Sequence, residues 1–329
     1  MVSSGKKIVF LFPGQGAQYP GMALDLIEIS AGAKKVFETA SDVLGQDMLS
    51  LIRDSDLETL KRTDCSQTAI STASLAAAAC LREKGIAPFA CAGFSLGEYP
   101  ALVCAGVISL EDCFRLTSAR GKAMQAVVDR MQKESAHAEL SAQAGMAAVM
   151  GLAPGQVESL IAEWKSAGPG NSCLHDLYAA NINSPKQTVV SGSAGALAEA
   201  EARFKEAGAK RVIRLQVAGP FHSPFMKDAA ETFAPALEKI TFNDPEIALF
   251  SNVTGKQVQS GSEAKKLALR HIVEGVRWTD EEAALAELQP DALVEAGPGN
   301  VLQGLWTSTG SNVPIFAAGT AEDMGKLII

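Results

Sequence analysis

The sequence predicts an α/β fold: a core built on a mostly parallel sheet, with a separate α+β unit inserted into it. Three observations carry that prediction. Continuous apolar runs such as Ile8–Phe12 end in glycine-rich turns and lead into helix-patterned stretches, the alternation that builds parallel sheets covered on both faces. At one such junction, Gly93-Phe94-Ser95-Leu96-Gly97, a serine stands between two glycines where a strand turns into a helix. Between about residues 146 and 216 the order changes to β-α-β-β-α-β, with a short polar turn between its two middle strands.

The bulk properties set limits. A chain of 329 residues with 47% hydrophobic and 20% charged residues is long enough and apolar enough for a large core. A net charge of -8 argues against nucleic acid as the main partner. The six cysteines form no C-x-x-C pair and sit mostly in apolar stretches, so free buried thiols in a reducing compartment are expected. Four scattered histidines give no metal-site spacing. The apolar run after Lys6-Lys7 stops at Pro13-Gly14, unlike a secretory signal, and no apolar segment approaches the ~20 residues that span a bilayer. The reading is a cytoplasmic protein with no membrane partner.

Taken in order, residues 8–12 read as a central strand ending in Pro13-Gly14-Gln15-Gly16-Ala17-Gln18. This turn lacks the lysine and spacing of a phosphate loop. Gln15 could present a backbone N–H to a carbonyl, or the turn could be a plain strand-helix connection. Residues 34–62 have mixed helical periodicity. Asp64 or Ser66 is the expected cap of a helix running to Lys84 and stopped by Gly85, with Gln67 facing the site or assisting the cap. Residues 89–92 lead as a strand into the serine turn, and Glu98 and Pro100 suit the helix start after it. That turn is a nucleophile elbow and makes the core hydrolase-like: the serine stands above the sheet end, and backbone N–H groups at the helix start favour an oxyanion beside it.

A helix over 110–132 carries Arg120, and polar residues 129–145, with His137, read as an insertion or boundary. The ferredoxin-like unit follows as strand 146–151, helix 155–167, a turn at 168–171, strands 177–182 and 187–192, helix 194–207 and strand 210–216. The organisation is therefore a core of 1–144 and 217–329 and a subdomain of 145–216. His222 lies between Pro220 and Pro224 ahead of a helix over 226–239, and two further strands lie at 249–252 and 292–295. Four turns, at 13–18, 93–97, 219–223 and 297–300, could meet at one sheet edge, where ligands of open α/β sheets bind.

In this order the motifs resemble the malonyl-CoA:acyl carrier protein transacylases. The resemblance rests on 12–18, Gly93-Phe94-Ser95-Leu96-Gly97-Glu98-Tyr99, Arg120-Gly121-Lys122-Ala123-Met124-Gln125, 181–192, Phe221-His222-Ser223-Pro224, Ser251-Asn252-Val253-Thr254-Gly255 and 295–302. It covers nearly the whole chain. It implies malonyl-CoA and acyl carrier protein as partners, and neither cofactor nor metal. On matching positions it implies Ser95 as nucleophile, His222 as its base, the Gln15 and Leu96 N–H groups as oxyanion hole, and Arg120 as partner of the substrate carboxylate. In place of a triad acid, a backbone carbonyl orients the imidazole; alignment on Val276-Arg277-Trp278 assigns it to His271, whose side chain is then unused. Phe221 matches the residue of malonyl-selective members.

Three features depart from the pattern: Phe94 where histidine is usual, His271 where glutamine is common with Gly275 where proline is frequent, and the long 129–145 stretch. Two other readings share parts of these motifs. A serine hydrolase or thioesterase would use water as acceptor, but the Gln15 turn, Arg120 and the inserted unit weigh against it. A catalytically silent carrier-binding protein would not need intact Ser95, His222 and Arg120.

Overall fold

The computed structural model describes residues 5–134, 143–166, 173–215 and 219–327. The strands among them are, in chain order, β1 (Ile8–Phe12), β2 (Ala90–Gly93), β3 (Gly145–Met150), β4 (Leu177–Ser184), β5 (Gln187–Gly192), β6 (Arg211–Arg214), β7 (Ala248–Ser251), β8 (Lys256–Gln257), β9 (Ala292–Glu295) and β10 (Ile315–Ala317). They form two sheets. The larger has the order β10-β9-β1-β2-β7-β8, parallel throughout except for the short edge strand β8.

β1 is buried along its length because helices cover both faces of this sheet. Ile8, Phe10 and Phe12 join the core on one side, and Val9 and Leu11 join the core on the other. The first core is closed by two long helices packed together, Thr63–Glu83 and Leu110–Glu134. Among the described residues no helix is long and apolar enough to cross a membrane.

The second sheet has the order β4-β5-β3-β6 and is antiparallel throughout, the arrangement expected of the ferredoxin-like order. Helices Pro154–Ser166 and Ala194–Glu206 cover one face and share a core with Val149, Leu177 and Val190. Its other face turns Met146, Ala148, Ala180 and Val189 toward the main core. The two sheets meet at a backbone seam, where Ile182 N–H donates to Val276 O (2.7 Å) and Val276 N–H donates to Ala180 O (2.8 Å).

Some local expectations need correction. The 63–83 helix is capped by neither Asp64 nor Ser66. Asp64 pairs with Arg62, and the Thr63 N–H is taken by the Gln125 side chain at 2.7 Å, so a neighbouring helix does the capping. Gln67 does not assist that cap either; it is buried between the two long helices, its amide 3.4 Å from the Met124 sulfur. Residues 129–134 continue the 110–134 helix rather than opening an insertion. The rest of that stretch up to 142, with His137, and the 168–171 turn lie outside the described residues. The mixed stretch 34–62 resolves into three helices, Ala31–Leu44, Met48–Asp54 and Leu57–Lys61, capped by Ser30, Asp47 and Asp56.

Candidate active site

β2 ends at the serine turn, and close packing explains its glycines. A Cβ on Gly93 would lie 2.0 Å from the Gly97 carbonyl, and one on Gly97 would lie 2.0 Å from the Phe12 carbonyl, so neither position admits a side chain. Between them Ser95 adopts φ 50°, a left-handed conformation that costs a non-glycine residue on the order of 1–3 kcal/mol. Two bonds hold it there. Phe94 N–H donates to Phe12 O (2.9 Å), and Ser95 N–H donates to Asn252 Oδ1 (2.6 Å). The helix Glu98–Cys104 follows directly.

His222 is also left-handed, at φ 54°. Its loop is fastened on both sides: Ser223 Oγ donates to Pro220 O, and Ser191 Oγ of β5 donates to Phe221 O, each at 2.6 Å. The imidazole lies between two partners, with Nε2 2.8 Å from Ser95 Oγ and Nδ1 2.9 Å from His271 O. A carbonyl only accepts, so Nδ1 carries the proton, which leaves Nε2 free to accept from the serine hydroxyl. Burial pushes the His222 pKa well below 6.5, with the His271 ring and the Arg120 charge adding to it, while the bond to His271 O acts the other way. The ring is therefore a neutral base at neutral pH.

Gln15 sits across from the elbow on the loop after β1. Its N–H meets no acceptor among the described residues, and its side-chain amide lies 3.5 Å from Lys61 O and Thr63 Oγ1. Leu96 is the second residue of the 3₁₀ turn Ser95–Gly97, and its N–H lies within the first turn, where backbone donors lack an intrahelical acceptor.

A cavity of about 720 Å³ connects these groups, with Gln15, Ser95, Arg120, Asn181, Phe221 and His222 among its walls. Arg120, from the 110–134 helix, is 1% exposed, and its Nε and Nη2 meet no partner among the described residues. Its guanidinium lies 5.6 Å from the Tyr99 ring centre, and burial lowers its pKa. A buried cation without a counter-ion costs several kcal/mol, which an entering anion would offset.

The sequence reading assigned no role to four residues now seen at the site. Asn181 and Asn183 reach the cavity because β4 carries two irregularities of register. Ala179 pairs with Val190, on the face of the subdomain's own core, yet Asn181 pairs with Val189, on the cavity face. The extra residue, Ala180, switches the face, and a period-2 pattern cannot reveal such a bulge.

Asn252 and Glu98 form a buried hub under the elbow. Asn252 Nδ2 donates to Gly93 O (2.7 Å) and Glu281 Oε1 (2.6 Å), and its backbone N–H donates to Glu98 Oε1 (2.7 Å). Burial, followed by the Glu98 charge, raises the Glu281 pKa well above the usual carboxylate range, which favours its neutral form. Asn252 lies in a quoted motif and Glu98 follows the serine turn, but only tertiary structure joins them.

The departures at Phe94, Gly275 and His271 have local consequences. Phe94 packs edge-on against Trp278 with ring centres 5.4 Å apart, an apolar contact that histidine would make less well. Gly275 allows close approach at the seam, since a Cβ there would lie 2.7 Å from Ala179 O. The His271 side chain is wholly buried, its ring 4.9 Å from that of His222.

Comparison with known proteins places this architecture. Residues 9–326 match the acyl transferase domain family. The malonyl CoA-acyl carrier protein transacylase of Haemophilus influenzae is 38% identical over 302 residues, 91% of each chain. That of Bacillus subtilis is 35% identical over 319 residues, 96% of this chain and 94% of its own. Among solved structures, a malonyl-transacylase in complex with its type II PKS acyl-carrier protein superposes with a TM-score of 0.85 at 34% identity, covering 97% of both chains. The malonyl CoA-acyl carrier protein transacylase of Coxiella burnetii gives 0.86 at 30% identity, covering 97% of this chain and 96% of that one.

Proposed function

The chain belongs to the acyl transferase domain family, and from that premise we propose that it transfers a malonyl group from malonyl-CoA to the phosphopantetheine thiol of an acyl carrier protein, for fatty acid or polyketide assembly in the cytoplasm. One observation supports the malonyl reading above the others. A buried arginine whose Nε and Nη2 have no hydrogen-bond partner among the described residues lies on the wall of the same cavity as a serine–histidine pair. Arginine's planar fork can grip both oxygens of the carboxylate that distinguishes malonyl from acetyl.

In this reading His222 Nε2 takes the Ser95 proton while Oγ attacks the thioester carbonyl. The Gln15 and Leu96 N–H groups hold the oxyanion. Collapse of the intermediate breaks the C–S bond, and the CoA sulfur leaves with the proton from His222. The carrier's thiol then gives its proton to His222, attacks the malonyl-serine ester and restores Ser95, so the kinetics are ping-pong. Phe221 lines the same cavity, and this reading assigns it to the acyl end, where its ring would disfavour an α-methyl branch. The core of 1–144 and 217–329 carries the reacting groups, and the 145–216 subdomain closes the cavity.

The test is mass spectrometry after brief exposure to a panel of acyl-CoAs. Malonyl-CoA should add one malonyl group on the peptide containing Ser95, discharged by acyl carrier protein. Steady hydrolysis with no need of the carrier would instead favour a thioesterase.

A further inference from the structure

The contacts around Ser95 and His222 form a closed circuit, and His271 closes it. From the nucleophile, Ser95 N–H donates to Asn252 Oδ1 (2.6 Å), and Asn252 N–H donates to Glu98 Oε1 (2.7 Å). The other carboxylate oxygen, Oε2, lies 2.7 Å from His271 Nδ1. His271 O accepts from His222 Nδ1 (2.9 Å), and His222 Nε2 returns to Ser95 Oγ (2.8 Å). One residue thus touches both halves of the pair: its carbonyl holds the base, and its ring meets the carboxylate that holds the nucleophile's turn.

We propose that the His271 side chain is a positioning residue, clamping Glu98 so that the elbow and the base are held as one rigid unit. The inference rests on the Ser95–His222 reading above.

Three features of the site point to it. His271 follows the helix Gly261–Arg270 as its C-cap, so its carbonyl is set by the backbone, and the side chain adds nothing to the bond with His222. The ring is nonetheless enclosed, with no exposed surface, next to the carboxylate of Glu98 and 4.9 Å from the His222 ring. Its contact with Glu98 is a close ion-pair approach rather than an aligned hydrogen bond, and Nε2 has no hydrogen-bond partner among the described residues. A buried imidazole is a poor filler unless its polar edge is used, and Glu98 is the carboxylate within ion-pair distance.

The circuit also explains how two strained residues face one another. Ser95 and His222 both hold left-handed backbones, at φ 50° and 54°, and such conformations persist only where surrounding contacts over-determine them. Loosening Glu98 would remove the acceptor of the Asn252 backbone N–H and let the Ser95 turn relax away from His222. The loss would fall on chemistry, since neither Glu98 nor His271 borders the substrate cavity.

The experiment measures single-turnover acylation of Ser95 by malonyl-CoA in the full chain, with KM and urea stability, for H271A, H271Q, E98Q and the H271A/E98Q double variant. All four keep the residue 271 carbonyl. H271A should acylate on the order of 10- to 100-fold more slowly, the scale of a slightly misplaced reacting group, with KM for malonyl-CoA within about threefold. H271Q, whose amide can also donate to Glu98, should recover most of the rate. The double variant should be little worse than the slower single variant, because both break the same link.

Wild-type acylation by folded H271A would overturn the proposal, as would equal losses in H271A and H271Q, or losses that simply multiply in the double variant. If H271A fails to fold, the comparison of H271Q with E98Q decides: wild-type acylation by E98Q overturns the link. A Ser95→Ala control separates this from the underlying reading. Labelling that persists in that control removes the dyad, and the clamp with it. An unlabelled control beside a fully active H271A removes the clamp alone.

Discussion

The two sides of the cavity are built on opposite principles. On the elbow side the serine, the histidine and the asparagine beneath them are already partnered: Ser95 with His222 and Asn252, Asn252 with Glu98 and Glu281, and His222 with the His271 carbonyl. At the Arg120 wall the guanidinium is as deeply buried, yet its Nε and Nη2 meet no hydrogen-bond partner among the described residues. In the function proposed above, the difference separates two tasks. The groups needed for every acyl chain are assembled in advance and do not reorganise during reaction. The group proposed to select one acyl chain is left for the substrate carboxylate to partner.

Two substitutions test that division most directly. On the assembled side, Ser95→Ala should abolish the covalent malonyl label, and His222→Ala should slow acylation on the order of 10²-fold or more. Intact-protein mass spectrometry reads the first and rapid-quench kinetics the second. On the open side, Arg120→Ala should depress malonyl transfer by a few kcal/mol, the cost of burying a carboxylate without a partner, while sparing or raising acetyl transfer. Arg120→Lys should recover only part of the loss, because an ammonium cannot engage both oxygens in a planar fork. The ratio of malonyl to acetyl kcat/KM is the quantity to compare. An unchanged ratio in Arg120→Ala would place selectivity elsewhere and end the contrast between the two sides.

The sides also differed in how far the sequence exposed them. The parallel core was legible because β1, β2 and β9 are buried, nearly continuous apolar runs ending in glycine-rich turns. The serine turn was legible because close backbone packing demands glycine at 93 and 97. β8 and β10 were not, being edge strands of two and three residues, too short to carry a period. The hub of Glu98, Asn252 and Glu281 was hidden for another reason. Its members lie more than 150 residues apart along the chain at the longest step, and each taken singly looks like an ordinary helix-start or turn residue. At His271 the sequence pointed to a backbone carbonyl, whereas the burial of its ring against Glu98 is a property of the packed structure. The sequence reading leaves that side chain unused and the proposed clamp uses it, so the acylation rate of H271A decides between them.

Titration sharpens the contrast within the assembled side. Because burial holds His222 well below 6.5, the base is deprotonated across the neutral range, and it protonates only as pH falls through its lowered pKa. Acylation kcat/KM should stay level down to pH 6.5 and decline only below it; an acid limb centred at or above 6.5 would contradict the depressed base. Glu282, whose carboxylate accepts from Trp278 Nε1 (2.9 Å), behaves in the opposite sense. Burial raises its pKa from 4.5 to about 8, so the folded state binds its proton more tightly than the unfolded chain does. That contribution to stability is full below pH 4.5 and is lost as pH rises to about 8. Glu282→Gln keeps an acceptor for Trp278 without titrating. In urea unfolding it should lose less stability than wild type between those two pH values, by up to a few kcal/mol. Parallel pH curves would show that Glu282 ionises normally.

The smallest effect is expected where the carrier protein meets the surface. If the carrier docks by charge on a protein of net charge -8, the contact falls on a local basic patch, and the subdomain offers one. The Lys186 carbonyl accepts from Gly151 N–H, the Lys210 side chain packs over Gly151, and Arg211 pairs with Met150 on the adjoining strand. All three therefore gather at one end of that sheet, and none forms an ion pair among the described residues. Lys205, which the sequence alone would group with them, is already joined to Glu201. Reversing Lys186, Lys210 or Arg211 to glutamate should weaken carrier use by a few-fold each, chiefly through the association rate and less at high salt. Self-malonylation should be untouched, because Ser95 and Arg120 belong to the core. Lys205→Glu is the internal comparison and should weaken carrier use less, since the charge it removes is already neutralised by Glu201. If Lys205→Glu proves as damaging as the other three, net charge rather than a defined patch guides the carrier. If none of the four alters carrier kinetics at low salt, the docking surface lies away from this end of the subdomain.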